Sequence, residues 1–138
     1  MLRESVELKV SWFRETLEKI INMSNEALTG DEQGFIILEK LVNARSMLVD
    51  WLSKLGDFMV DMYARRPEKR RELEKLYAEV KEIASFCLDT MLAVYRRDWP
   101  RERGRGPLTK ATERLEVMRE LEKLKKVSEN LFNELLKY

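Results

Sequence analysis

The sequence predicts an all-α protein, an antiparallel up-down-up-down four-helix bundle. Three observations carry that expectation. Apolar residues recur at steps of three and four along four segments, glycine and proline separate those segments, and no stretch alternates apolar and polar residues as a half-buried strand does. The 138 residues are read as a single domain, 1–138, with helices over 2–28, 31–65, 67–97 and 109–137 and a loop over 98–108.

The first segment places Val6, Val10, Phe13, Leu17, Ile20 and Ala27 on one face, with Ser24 the single polar residue in that register. Leu8, Trp12 and Met23 lie beside the stripe, and Glu4, Glu7, Glu15, Lys19 and Glu26 lie opposite it. This is the pattern of an amphipathic helix. Gly30 supplies a left-handed stop and Asp31 a cap for the next helix.

The second segment is the most apolar and organises the rest. One seam runs Ile37, Leu41, Ala44, Leu48, Trp51, Leu55, Phe58, Met62 without a polar residue. A second, adjoining seam runs Phe35, Leu38, Val42, Arg45, Val49, Leu52, Gly56, Met59, Tyr63, interrupted by Arg45 and Gly56 alone. An ordinary surface helix hides one stripe about 100° wide, so two seams require apolar neighbours on more than one side. This is expected to be the central helix. Pro67 ends it, because the residue before a proline is pushed out of helical geometry and proline itself suits a first helical turn.

The third segment carries Leu73, Leu76, Val80, Ile83, Cys87 and Val94 on one seam, with Tyr77, Ala84, Leu88, Met91 and Tyr95 beside it. The run DWPRERGRGP, with two prolines and two glycines, then breaks the helical pattern. Thr109 or Thr112 caps a last helix bearing Leu115, Met118, Leu121, Leu124, Val127, Leu131 and Leu135.

Composition excludes several chemistries. The chain has no histidine, so it lacks the commonest general base and the commonest metal ligand. Di-metal carboxylate bundles need inward Glu-x-x-His pairs, and no carboxylate falls on any seam above. Haem would lack its usual axial ligand, and zinc would find Cys87 alone. That cysteine, set among Val80, Ile83 and Met91, reads as a small buried hydrophobe. No cofactor or metal is expected. Asp57 and Asp61, one turn apart, read as a solvated charge pair and not an acid/base dyad. An enzyme built on charged side chains would need a buried cluster of both signs, and the seams offer only Arg45. A buried Arg45 would need a partner, for which Glu82 or Asp89 are the expected carboxylates.

Lysine and arginine (26) nearly balance aspartate and glutamate (25), so no global field recruits polyanions. Two local clusters are basic. Arg65, Arg66, Lys69, Arg70 and Arg71 face one acid, Glu68; Arg96, Arg97, Arg101, Arg103, Arg105 and Lys110 face Asp98 and Glu102. The second includes Trp99 and an Arg-Gly-Arg-Gly run, a combination suited to phosphate contact with base stacking. No apolar run is long enough for a membrane span, and MLRESVELKVSW lacks a signal-peptide apolar region, so a cytoplasmic protein is expected.

Charged residues make up 37% of the chain and glutamine occurs once, at Gln33. With four long helices, this layout looks like the small uncharacterised helical proteins of hyperthermophilic archaea and of the viruses that infect them. It is also similar in architecture to focal-adhesion-targeting domains, bundles that serve as docking surfaces. The likeness is one of layout and implies no site residue.

The expected function is a non-enzymatic scaffold or adaptor that acts as a homodimer. Its apolar surplus lies on the second helix, with Phe35, Val42, Val49 and Tyr63 as the candidate self-association or partner face. The alternative is a nucleic-acid-binding module that uses the loop 96–110 through Trp99, Arg101, Arg103 and Arg105.

Overall fold

The computed structural model describes residues 2–29, 34–101 and 111–137, and within them the side chains of 5–29, 39–94 and 114–137. Four helices take up nearly all of these: α1 (Leu2–Thr29), α2 (Gly34–Arg65), α3 (Arg70–Arg101) and α4 (Ala111–Leu135). No strand occurs among the described residues, and the fold is all-α. No helix among them is long and apolar enough to cross a membrane.

The first seam of α2 is buried from Leu41 through Ala44, Leu48, Trp51, Leu55 and Phe58 to Met62. On α1 the residues Val6, Val10, Phe13, Leu17, Ile20 and Ala27 are buried as their spacing requires. Ser24 joins them by turning its hydroxyl onto the Ile20 carbonyl at 2.9 Å, which satisfies the one polar group in that face. Phe13 sits at the centre, with the rings of Trp51, Phe58 and Phe132 between 5.6 and 6.4 Å away. The Trp51 indole N–H donates to the Phe13 carbonyl at 2.9 Å, so the largest core side chain leaves no polar atom unpaired. One apolar cluster runs through all four helices. Helix backbones come within 8 Å of each other in the pairs α1–α2, α2–α3, α3–α4 and α1–α4.

The α4 core row differs from the expected one. Leu115 is exposed, and the buried row is Val117, Leu121, Leu124, Ser128, Leu131 and Leu135, with Phe132 beside it. Steps of four and three hold along it once Ser128 is admitted, and the polar residue is what hides the row from an apolar count.

The α2–α3 junction follows proline chemistry. Arg66 leaves the helix at φ −136° and ψ 67°, as a residue before proline does, and Pro67–Lys69 forms one 3-10 turn before α3 begins. At its other end α3 does not stop at residue 97 but continues through Pro100 to Arg101. Pro100 gives up its own bond to the carbonyl four residues back and crowds that carbonyl, a cost taken one residue before the helix ends. The remainder of the expected loop, 102–108, lies outside the described residues.

Two helix ends are closed from elsewhere in the chain. Neither α1 nor α4 has a basic residue in its last turn. Arg114 of α4 donates to the Leu28 carbonyl at the end of α1, and Arg66 donates to the Leu135 carbonyl at the end of α4. A cation at a helix C-terminus offsets the negative end of the macrodipole.

Candidate functional site

The outer surface of α2 is one place where the structure leaves apolar side chains uncovered. Positions 42, 46, 49, 53, 56 and 60 advance by four and three and so share one face of the helix. They carry Val42, Ser46, Val49, Ser53, Gly56 and Val60, with no charge among them. Val42 is 40% exposed, Val49 45% and Val60 66%. Ser46 and Ser53 are exposed between them. The opposite side of the same helix is saturated with core contacts, so this row is surplus to the packing of one chain.

The second seam read from the sequence divides into two fates. Leu52, Met59 and Tyr63 pack against the core, and α3 covers that side: Tyr77 of α3 approaches Gly56 so closely that a Cβ there would lie 3.0 Å from the phenol oxygen. Tyr63 is half-buried, with the Arg70 guanidinium 5.6 Å from its ring centroid. Burial pushes both the Tyr63 and Tyr77 phenols above their usual pKa, with the nearby Glu74 and Asp57 carboxylates adding to the effect, respectively. Val42 and Val49 remain open, and the side chain of Phe35 lies outside the described residues. Val60, on neither seam, joins the open row; its spacing of eleven from Val49 is the signal that places it there.

Arg45 takes a different partner from the carboxylates expected of it. It is half-buried, and its Nε donates to the Leu88 carbonyl of α3 at 3.0 Å. Beside it Leu41, Val42, Ser46, Met91 and Leu92 line a shallow groove between α2 and α3.

The basic cluster at 65–71 resolves into architecture. Arg66 is 4% exposed and closes α4. Lys69 reaches Glu134 at 3.4 Å, Arg65 pairs with Asp61 at 3.1 Å, and Arg70 pairs with Glu74 at 2.6 Å. Four of the five cations are thus committed to neighbours within the chain. In the other cluster, the side chains of Arg96, Arg97, Trp99 and Arg101 and the whole of Arg103, Arg105 and Lys110 lie outside the described residues.

A second open surface was not picked out by the sequence. Between α1 and α2, Lys9, Trp12, Phe13, Lys54, Asp57, Phe58 and Asp61 line a groove of about 370 Å³. Its aromatic floor already holds cations, with Lys54 Nζ 5.1 Å from the Trp12 ring and Lys9 Nζ 5.5 Å from that of Phe58. Leu8, one turn before Trp12, is 72% exposed. The signal was the i, i+4 pair Leu8 and Trp12 lying beside the core stripe of α1.

No protein-family model, curated protein or solved structure matches the chain.

Proposed function

We propose that this protein is a non-enzymatic interaction module that works as a homodimer through the outer face of α2. The observation that carries the reading is the uncharged row from Val42 through Val49 to Val60, open to solvent on a helix whose other side is fully used by the core. Extended exposed apolar surface marks partner sites, Ser46 and Ser53 carry this row between its valines without a charge, and two-fold dimers are the commonest oligomers. The four helices are read as an antiparallel up-down-up-down bundle. Lys9 beside Phe58 and Arg45 beside Leu88 support it, since each joins an earlier position on one helix to a later one on the next, and between α1 and α4 the pairs Arg14–Glu129 and Glu18–Lys125 run in opposite directions.

Sedimentation at micromolar concentration tests the reading. The expected mass is twice 16.5 kDa. Val49→Glu shifts it to the monomer with helical content unchanged, whereas Leu115→Glu, at an exposed leucine on α4, leaves the dimer intact. A wild-type monomer at those concentrations overturns the proposal.

A further inference from the structure

We infer that the second copy docks with its α2 parallel to the first, about a two-fold axis running along the helices, so that the acidic flank of one row meets the basic flank of the other. This rests on the reading of the α2 outer face as a self-association surface and adds the orientation that its charges select.

The row from Val42 to Val60 has two unlike edges. Asp50 and Asp57 follow Val49 and Gly56 by one position and are exposed along one edge. Arg45, Leu52 and Met59 precede Ser46, Ser53 and Val60 along the other. Leu52 and Met59 are covered by α3, so the charges presented on that side are Arg45 and those that α3 itself offers. Tyr77 stands against Gly56 and Leu88 against Arg45, which sets the α3 residue one turn after Tyr77, the exposed Lys81, about level with Leu52. One edge is therefore acidic (Asp50, Asp57), and the other carries Arg45 and Lys81 as its open charges, because Glu74, seven residues before Lys81 on the same face of α3, is paired with Arg70 at 2.6 Å.

Symmetry converts those edges into a choice. A two-fold perpendicular to α2 brings each edge against its own counterpart and stacks Asp50 and Asp57 on the same carboxylates of the second copy, an unfavourable juxtaposition. A two-fold along α2 brings opposite edges together. Arg45 then faces Asp50 of the second copy, five residues further on, the spacing by which parallel coiled coils pair their flanking charges, and Lys81 faces Asp57. Asp50 is held meanwhile by Lys54 at 3.0 Å in an exposed i, i+4 pair, an interaction weak enough to be exchanged. On the axis, Val42, Val49 and Val60 each meet their own counterpart, and the small exposed Ser46 and Ser53 let the helices approach to about 8–10 Å, with the Tyr77 phenol filling the row over Gly56. Glu39, ahead of Val42, would face its own counterpart, and the seam ends there.

Cysteine cross-linking reads the orientation directly. Cys87 is fully buried and burial pushes its thiol up to about 12, so the parent chain stays uncross-linked under mild oxidation. Val42→Cys and Val60→Cys are each expected to form a covalent dimer alone, because each lies on the axis. In the perpendicular arrangement about the middle of the row, residue 42 is about 27 Å from its counterpart, and only a mixture of the two variants would link. Cross-linking confined to the mixture, with the parent still a dimer by sedimentation, overturns the orientation and leaves the docking face standing. A dimeric parent with no cross-link in either format places the interface elsewhere and overturns both, as does a monomeric parent. Charge reversal gives an independent reading: Lys81→Glu and Asp57→Lys each raise the dimer dissociation constant about five-fold, and the double variant restores it. A double variant no tighter than either single one overturns the pairing.

Discussion

Arg66 Nη1 donates to the carbonyl oxygen of Leu135 at 3.1 Å, joining the α2–α3 junction to the end of α4 across 69 residues of sequence. Arg66 is almost wholly buried, and burial draws its pKa below the ordinary guanidinium value while Glu68 pulls the other way. A guanidinium keeps its charge in such a place, so the cation stays available to the helix end it closes.

Arg66→Ala should therefore destabilise the fold by about 2 kcal/mol, the scale of a charge-assisted hydrogen bond at a helix C-terminus. Arg71→Ala, at an exposed arginine two residues past the Pro67–Lys69 turn, should change stability by less than about 0.5 kcal/mol. Urea midpoints at constant m-value give the comparison, and equal effects of the two substitutions would count against the capping role.

Gly56 and Tyr77 are coupled. Alanine is about 0.5–1 kcal/mol better than glycine inside a helix, but its Cβ would sit 3.0 Å from the Tyr77 oxygen. Gly56→Ala alone should gain little or nothing, and in a Tyr77→Phe background it should gain about 0.5–1 kcal/mol. Denaturant titration of the four-member cycle reads the coupling; strict additivity would show that the phenol oxygen does not limit the site.

Glu134 sets an acid limb. Its carboxyl is held below the usual range, first by the hydrogen bond from Lys137 and then by that from Lys69, against an opposing effect of burial. A depressed folded pKa adds stability that is present above the unfolded value of about 4.3 and is lost as pH falls through the folded value. Glu134→Gln should flatten the loss of stability below pH ~4.3, measured as thermal midpoint against pH. An unchanged acid limb would remove Glu134 from its cause.

Cys87 should report unfolding. A raised thiol pKa, caused first by burial and then by the Glu120 carboxylate, keeps the group neutral. Its contribution to stability is whole below the unfolded value of about 8.5 and is lost as pH rises towards about 12. At pH 8 a thiol reagent should leave the native chain unlabelled and modify it stoichiometrically in denaturant. Rapid labelling of the native chain would contradict the burial.

The legible part of this protein is its periodicity. The seam from Leu41 to Met62 needs no knowledge of neighbours, because spacing alone puts those residues on one face and water drives that face inward. Proline chemistry likewise marks the break at Arg66. The adjoining seam was legible as apolar, and Val42 and Val49 as an open row on it, but the packing of Tyr63 against the core was not: Met59 is buried, Leu52 and Tyr63 are half-buried, and Val42 and Val49 stay in solvent. The α4 row was blurred by Ser128, and the charges at 65–71 gave no sign that Arg66 belongs inside.

By itself the sequence determined four helical segments, the inward face of α2, and the exclusion of histidine-based chemistry, since each follows from local spacing or composition. Tertiary structure alone decided which helix end receives which arginine, that Arg45 bonds a backbone carbonyl instead of a carboxylate, and that Val60 joins Val42 and Val49 in the open row while Tyr63 leaves it. The reason is physical: burial and hydrogen bonding depend on what stands opposite a side chain, and here the opposing groups lie tens of residues away, where no local pattern records them.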